Sequence, residues 1–104
     1  YHADSEIRRT IHISAVYACN FVNHLFSIAD RTLSRHDIPF EVLLPLIKET
    51  IRKVTKVSPT DAQTGPAARG DKGIIDKHLS VIDNETDRAI YKLLSESIMQ
   101  NNKQ

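Results

Sequence analysis

The sequence predicts an all-α fold. Three observations carry that expectation. Apolar residues recur at spacings of three and four along most of the 104 residues, the period of a helix with one apolar face. Alternation with a period of two is poor, so no strand is expected. The three Gly and four Pro gather at a few points that punctuate the helical stretches. Four helices are expected, the first of them long.

The first is expected from Asp4 to His36, with Ile7, Ile11, Ala15, Ala18, Val22, Leu25, Ala29 and Leu33 as its stripe. Asp4, Ser5 and Glu6 bring cap and acid chemistry to its start. Arg31, Arg35 and His36 bring positive charge to its end, where the helix dipole favours it. Asp37-Ile38-Pro39 breaks it, because the residue before a proline avoids helical geometry. The second is expected from Pro39 to Val57, on the stripe Leu43, Leu46, Ile47, Ile51 and Val54. Pro39 suits a first helical position. Pro45 should kink this helix or delay its start.

Ser58–Gly70 has no apolar period and carries Pro59, Gly65, Pro66 and Gly70. It exceeds the roughly 2–8 residues that usually join helices, and is expected to be an ordered functional loop. The third helix follows from Asp71, its N-cap, to Ile82, with Ile74, Ile75, His78, Leu79 and Ile82 on one face. The fourth runs from Glu85 to Met99, where Asn84 and Asp87 form a loose capping box and Ile90, Leu93, Leu94 and Ile98 a buried stripe. Gln100–Gln104 reads as a polar tail.

Composition bounds the function. Hydrophobic residues make up 40% and charged residues 26%, which is ordinary globular usage. A compact monomer of this size would expose about 5,900 Å². A net charge of +1 gives no global field for nucleic acid. No apolar run reaches the roughly 18 residues of a membrane span. Cys19 is the single cysteine, which excludes an intrachain disulfide and Cys-rich zinc sites. The five His show no metal spacing, so no metal site is expected. No secretory pattern is visible, and a cytoplasmic compartment is expected. The chain begins at Tyr1 rather than Met and reads as a segment of a longer protein.

The first helix would be a rod roughly 45 Å long. A compact chain of this length is about 33 Å across. The rod must therefore overhang, or pack on something outside the chain. Ser14, Ala15, Ala18 and Cys19 are small and would admit another helix closely. A partner domain or a homodimer is expected.

Three groups of residues are candidates for chemistry. Asn20, Asn23, His24 and Ser27 share one side of the first helix and form helices indifferently. They are either a functional cluster or a solvated face. Thr64-Gly65-Pro66-Ala67-Ala68-Arg69-Gly70-Asp71 ends at a helix start. There Arg69 either grips a carboxylate or phosphate or pairs with a neighbouring acid, and Asp71 caps. This stretch is neither G-x-G-x-x-G nor a P-loop. Its Arg69-Gly70-Asp71 spells an adhesion tripeptide, but nothing supports the extracellular setting that reading needs. His78, on the apolar face of the third helix, is either a satisfied core histidine or a general acid/base. Lys48, Arg52, Lys53 and Lys56 make a basic row interrupted by Glu49, which reads as a solvated face rather than a nucleic-acid surface.

Longer strings resemble one family. His12-Ile13-Ser14-Ala15-Val16-Tyr17-Ala18-Cys19-Asn20-Phe21 is similar to its "HLAAVFASNF" opening, with Cys19 where the family often has Ser. Leu44-Pro45-Leu46-Ile47-Lys48-Glu49-Thr50 resembles its "PLI-x-ET" helix. Gln63–Asp71 followed by His78-Leu79 resembles its "TGP-x-x-RGD…HL" signature. The family is the two-domain NAD(P)-dependent oxidoreductases with an N-terminal Rossmann domain. Their C-terminal helical part is catalogued as a domain of unknown function, similar to the helical domains of 6-phosphogluconate dehydrogenase and pyrroline-5-carboxylate reductase relatives.

The resemblance implies that residues 1–104 are one all-helical dimerisation domain closing over a nicotinamide. NADP or NAD would be held mainly by a Rossmann domain ahead of Tyr1, and this chain alone would not be catalytic. Asn20, Thr64, Gly65, Pro66, Arg69, Gly70, Asp71 and His78 occupy the family's motif positions. Residue type and place then suggest roles. Arg69 would grip a small anionic substrate, with Thr64, Gly65, Pro66, Gly70 and Asp71 around it. Asn20 would orient a polar group, and His78 would donate a proton or organise the loop. The rival reading is a non-catalytic helical dimerisation or scaffold module.

Overall fold

In the computed structural model, which describes residues 4–101, the Asp4 carboxylate accepts a hydrogen bond from the Ile7 N–H at 2.9 Å. This N-cap opens α1 (Ser5–Ala15). A π-helical turn, Val16–Phe21, continues directly into α2 (Val22–Ser34). The expected long helix is thus helical throughout, with one wide turn that periodicity does not foretell. Tyr17 and Phe21 meet edge to face across that turn, with ring centroids 5.3 Å apart.

The run ends in a Schellman arrangement. The Ile38 N–H donates to the Leu33 carbonyl at 3.1 Å and the Asp37 N–H to that of Ser34 at 3.1 Å. Asp37 takes the left-handed conformation, φ 55°, that this closure needs. Pro39 is extended (ψ 147°) and precedes a 3₁₀ turn, Phe40–Leu43, rather than sitting inside a helix. Phe40 packs edge to face on Phe26, with centroids 6.1 Å apart. Contacts within the chain divide it into two units, Tyr1–Leu44 and Pro45–Gln104, and these elements belong to the first.

At the boundary begins α3 (Leu44–Val54). Pro45 lies in its first turn, where no N–H is required, so the proline delays the helix start instead of kinking it. Arg52 donates to both carboxylate oxygens of Glu49 at 2.7 Å, which neutralises the middle of the basic row. That exposed contact pushes the Glu49 carboxyl below its ordinary value and Arg52 above its own.

The stretch Ser58–Gly70 is not an irregular loop. It holds two one-turn helices, α4 (Pro59–Ala62) and α5 (Pro66–Arg69). Then come α6 (Lys72–Val81) and α7 (Glu85–Asn101). Asp71 caps α6 through the Ile74 N–H at 3.2 Å, and Asn84 accepts from the Asp87 N–H at 2.9 Å, as the sequence predicts. Arg88 of α7 reaches back and donates to the Leu79 and Ile82 carbonyls at the end of α6, at 3.2 and 2.5 Å.

Helices α5, α6 and α7 touch one another pairwise. Each supplies one of the buried residues, Ala67, Ile75 and Ser95. The stripe expected in α7 is covered only in part: Ile90 and Ile98 are half-buried, whereas Leu93 is 68% and Leu94 44% exposed and Ser95 beside them is covered. The first helical run is also uncovered at Ile7, Ile11, Ile13, Tyr17, Phe21, Val22 and Leu25. The helical pattern is therefore real, but much of its apolar face is unburied by this chain.

Candidate functional site

The glycine-proline stretch builds the site by backbone chemistry. Gly65 has φ 102° and ψ 173°, a conformation open essentially to glycine alone. It feeds Pro66 into the first position of α5, where proline's missing N–H costs nothing. Gly70 leaves α5 in the left-handed region, φ 68°, ψ 28°. The Asp71 N–H then donates to the Pro66 carbonyl at 2.9 Å and the Gly70 N–H to that of Ala67 at 3.1 Å. This second Schellman closure turns the chain into α6, where Asp71 becomes the cap. The would-be adhesion tripeptide is thereby divided between a helix end, a turn and a helix cap.

The same arrangement walls an open pocket of about 710 Å³ in the second unit. Thr60 and Asp61 of α4 line it, together with Gln63, Thr64 and Gly65 of the connector. Ala68 and Arg69 of α5 and Asn101 of α7 complete the wall. The lining carries one cation, one anion and several neutral hydrogen-bonding groups. Among the described residues, no carboxylate lies within 4.0 Å of the Arg69 guanidinium. The internal ion pair considered for Arg69 is therefore not formed here.

Of the residues singled out in the sequence, Thr64, Gly65 and Arg69 meet at this pocket. Pro66, Gly70 and Asp71 shape its frame through the turns just described. His78 does not line it. It is exposed rather than a core histidine, and its Nδ1 lies 2.7 Å from the Tyr91 hydroxyl. The tautomer of the imidazole decides which of the two donates. The rings stand edge to face, with centroids 5.8 Å apart. Burial pushes the Tyr91 phenol above its ordinary value. Asn20 lies in the first unit, exposed within the π turn. Such turns occur often at functional positions.

Sequence reading did not single out Thr60, Asp61, Gln63, Asn101 or Tyr91. A signal existed for α4: Ser58 caps it by accepting from the Asp61 N–H at 3.2 Å, and Pro59 follows the cap. Asn101 and Tyr91 join the others only through tertiary packing, which no local pattern encodes.

No group of three or more metal-ligating side chains occurs among the described residues. No described helix is long and apolar enough to cross a membrane. The described residues hold no strand leading into a glycine-rich turn and helix, the arrangement that cradles a dinucleotide pyrophosphate.

Comparison with known proteins adds three findings. A family model described as "Domain of unknown function (DUF2520)" matches residues 1–98. A solved structure from Bacteroides fragilis, described as a "putative NADP oxidoreductase", superposes with a TM-score of 0.91 at 46% identity. The match covers 96% of this chain and 39% of that one, so the chain spans well under half the length of its solved neighbour. No curated protein matches the chain.

Proposed function

The chain belongs to the DUF2520 family, and from this premise we propose that it is the substrate-side and dimerisation domain of an NADP-dependent oxidoreductase. The observation that carries the reading is the pocket at Thr64, Gly65 and Arg69. A guanidinium with no ion-pair partner among the described residues, held beside polar groups on a glycine-bracketed turn, suits a small anionic substrate. The solved neighbour, described as an NADP oxidoreductase, supports the nucleotide, and its greater length leaves room for a domain that holds it. No step of hydride transfer is assigned to these residues. Their part is to bind and orient the substrate, while a Rossmann domain elsewhere in the longer protein holds the cofactor.

The exposed apolar residues of the α1–α2 run support a homodimer, because faces of that size on soluble proteins mark contact surfaces. Asn20, within the π turn, is the residue of the first unit assigned to orient a polar group. His78, held by Tyr91, is assigned to proton donation or to organising the chain that follows the pocket.

The test is a fluorescence titration of NADPH and NADH into the complete gene product. Saturable binding that favours NADPH is the expected result. Binding of neither nucleotide would overturn the oxidoreductase reading and leave the non-catalytic dimerisation module.

A further inference from the structure

The pocket carries two opposite charges that do not neutralise each other. Arg69 and Asp61 both line it, from α5 and α4. Among the described residues no ion pair joins them, and neither has another ion-pair partner within 4.0 Å. The Asp61 backbone N–H donates to the Ser58 hydroxyl, and among the described residues its carboxylate has no hydrogen-bond or ion-pair partner. The wall also carries Thr60, Thr64 and Asn101, with Gln63, whose side-chain amide donates to the Thr64 carbonyl at 3.0 Å. A simple anion drawn to Arg69 would meet the field of the Asp61 carboxylate. A simple cation would meet that of Arg69. A molecule with both poles satisfies the two together, and the neutral groups of the wall suit its polar body.

We infer that this pocket selects a small zwitterion, a molecule with a carboxylate and an ammonium group such as an amino acid. The inference rests on the anion-binding reading of Arg69 and adds the role of Asp61. Arg69 takes the carboxylate as a bidentate pair. Asp61 takes the ammonium group and disfavours dianions. The site is open to water, so the preference is modest. An exposed ion pair is worth about a two- to fivefold change in affinity.

The test uses the complete gene product with Arg Nε–H signals observed by NMR. Two zwitterions, glycine and γ-aminobutyrate, are titrated beside their charge-deleted partners, acetate and butyrate. At least one zwitterion is expected to shift the Arg69 signal with about two- to fivefold higher affinity than its partner. Asp61→Asn should remove that preference while leaving acetate binding equal or tighter, with its amide spectrum confirming the fold. Equal binding of zwitterion and carboxylate in the native chain would overturn the inference and leave the anion reading standing. A preference that survives Asp61→Asn would likewise overturn the role of Asp61. If none of the four probes moves the Arg69 signal, the anion reading falls and the inference with it.

Discussion

Gly65 and Gly70 bracket the turn that presents Arg69, and both hold positive φ. A Cβ added at either position meets nothing within 4 Å. Substitution is therefore penalised by backbone strain and not by a clash. Gly65→Ala should cost about 1–3 kcal/mol and Gly70→Ala about 1–2 kcal/mol, measured by urea unfolding. Losses well below that range would show that the turn relaxes and does not depend on glycine. Tyr91 supports a second expectation. Burial raises its phenol pKa, so below an ordinary value near 10 the phenol is neutral in both folded and unfolded states. Above that pH the unfolded chain ionises first. The associated stability is lost as pH climbs through the raised folded value. Thermal melting across the alkaline range should show this decline, and Tyr91→Phe should flatten it. The same variant removes the hydroxyl bonded to His78 and should lose up to about 1 kcal/mol at neutral pH.

At the level of elements, helix ends are set by single side chains. Asp71 closes the pocket's turn and opens α6 with one bond to the Ile74 N–H. Asp71→Ala should cost about 1 kcal/mol by urea unfolding, and Asp71→Asn should recover most of it. If Asn fails to rescue, the charge and not the cap is what counts. Caps of this kind are local, which is why the sequence predicted the ends of α6 and α7 closely. Arg69, Thr64 and Gly65 were legible for the same reason, since adjacent residues on one turn share a site whatever the rest of the chain does. The π turn at Val16–Phe21 was not legible, because VYACNF fits an ordinary helix equally well by local preference. The pairing of His78 with Tyr91 depends on how α6 meets α7, and Asn101 reaches the pocket from the far end of α7. Local spacing holds no record of either.

At the scale of the molecule, the apolar stripes announced helices correctly but could not say what covers them. Periodicity reports that a face will be buried, not by which chain. The α1–α2 run shows the difference, with Ile11 49%, Tyr17 65% and Leu25 38% exposed. On the proposed reading a second copy covers this run. A charge placed there would then be trapped in an apolar contact, and an unpaired buried charge costs several kcal/mol. Changing Ile11 and Leu25 together to Glu should therefore shift the complete gene product from dimer to monomer in multi-angle light scattering. Both side chains are already partly exposed within the chain, so the helix itself should survive and circular dichroism should be unchanged. A native product that is monomeric at micromolar concentration would remove the homodimer, and a double variant that stays dimeric would move its contact off this face; either leaves a domain of the same polypeptide as the cover.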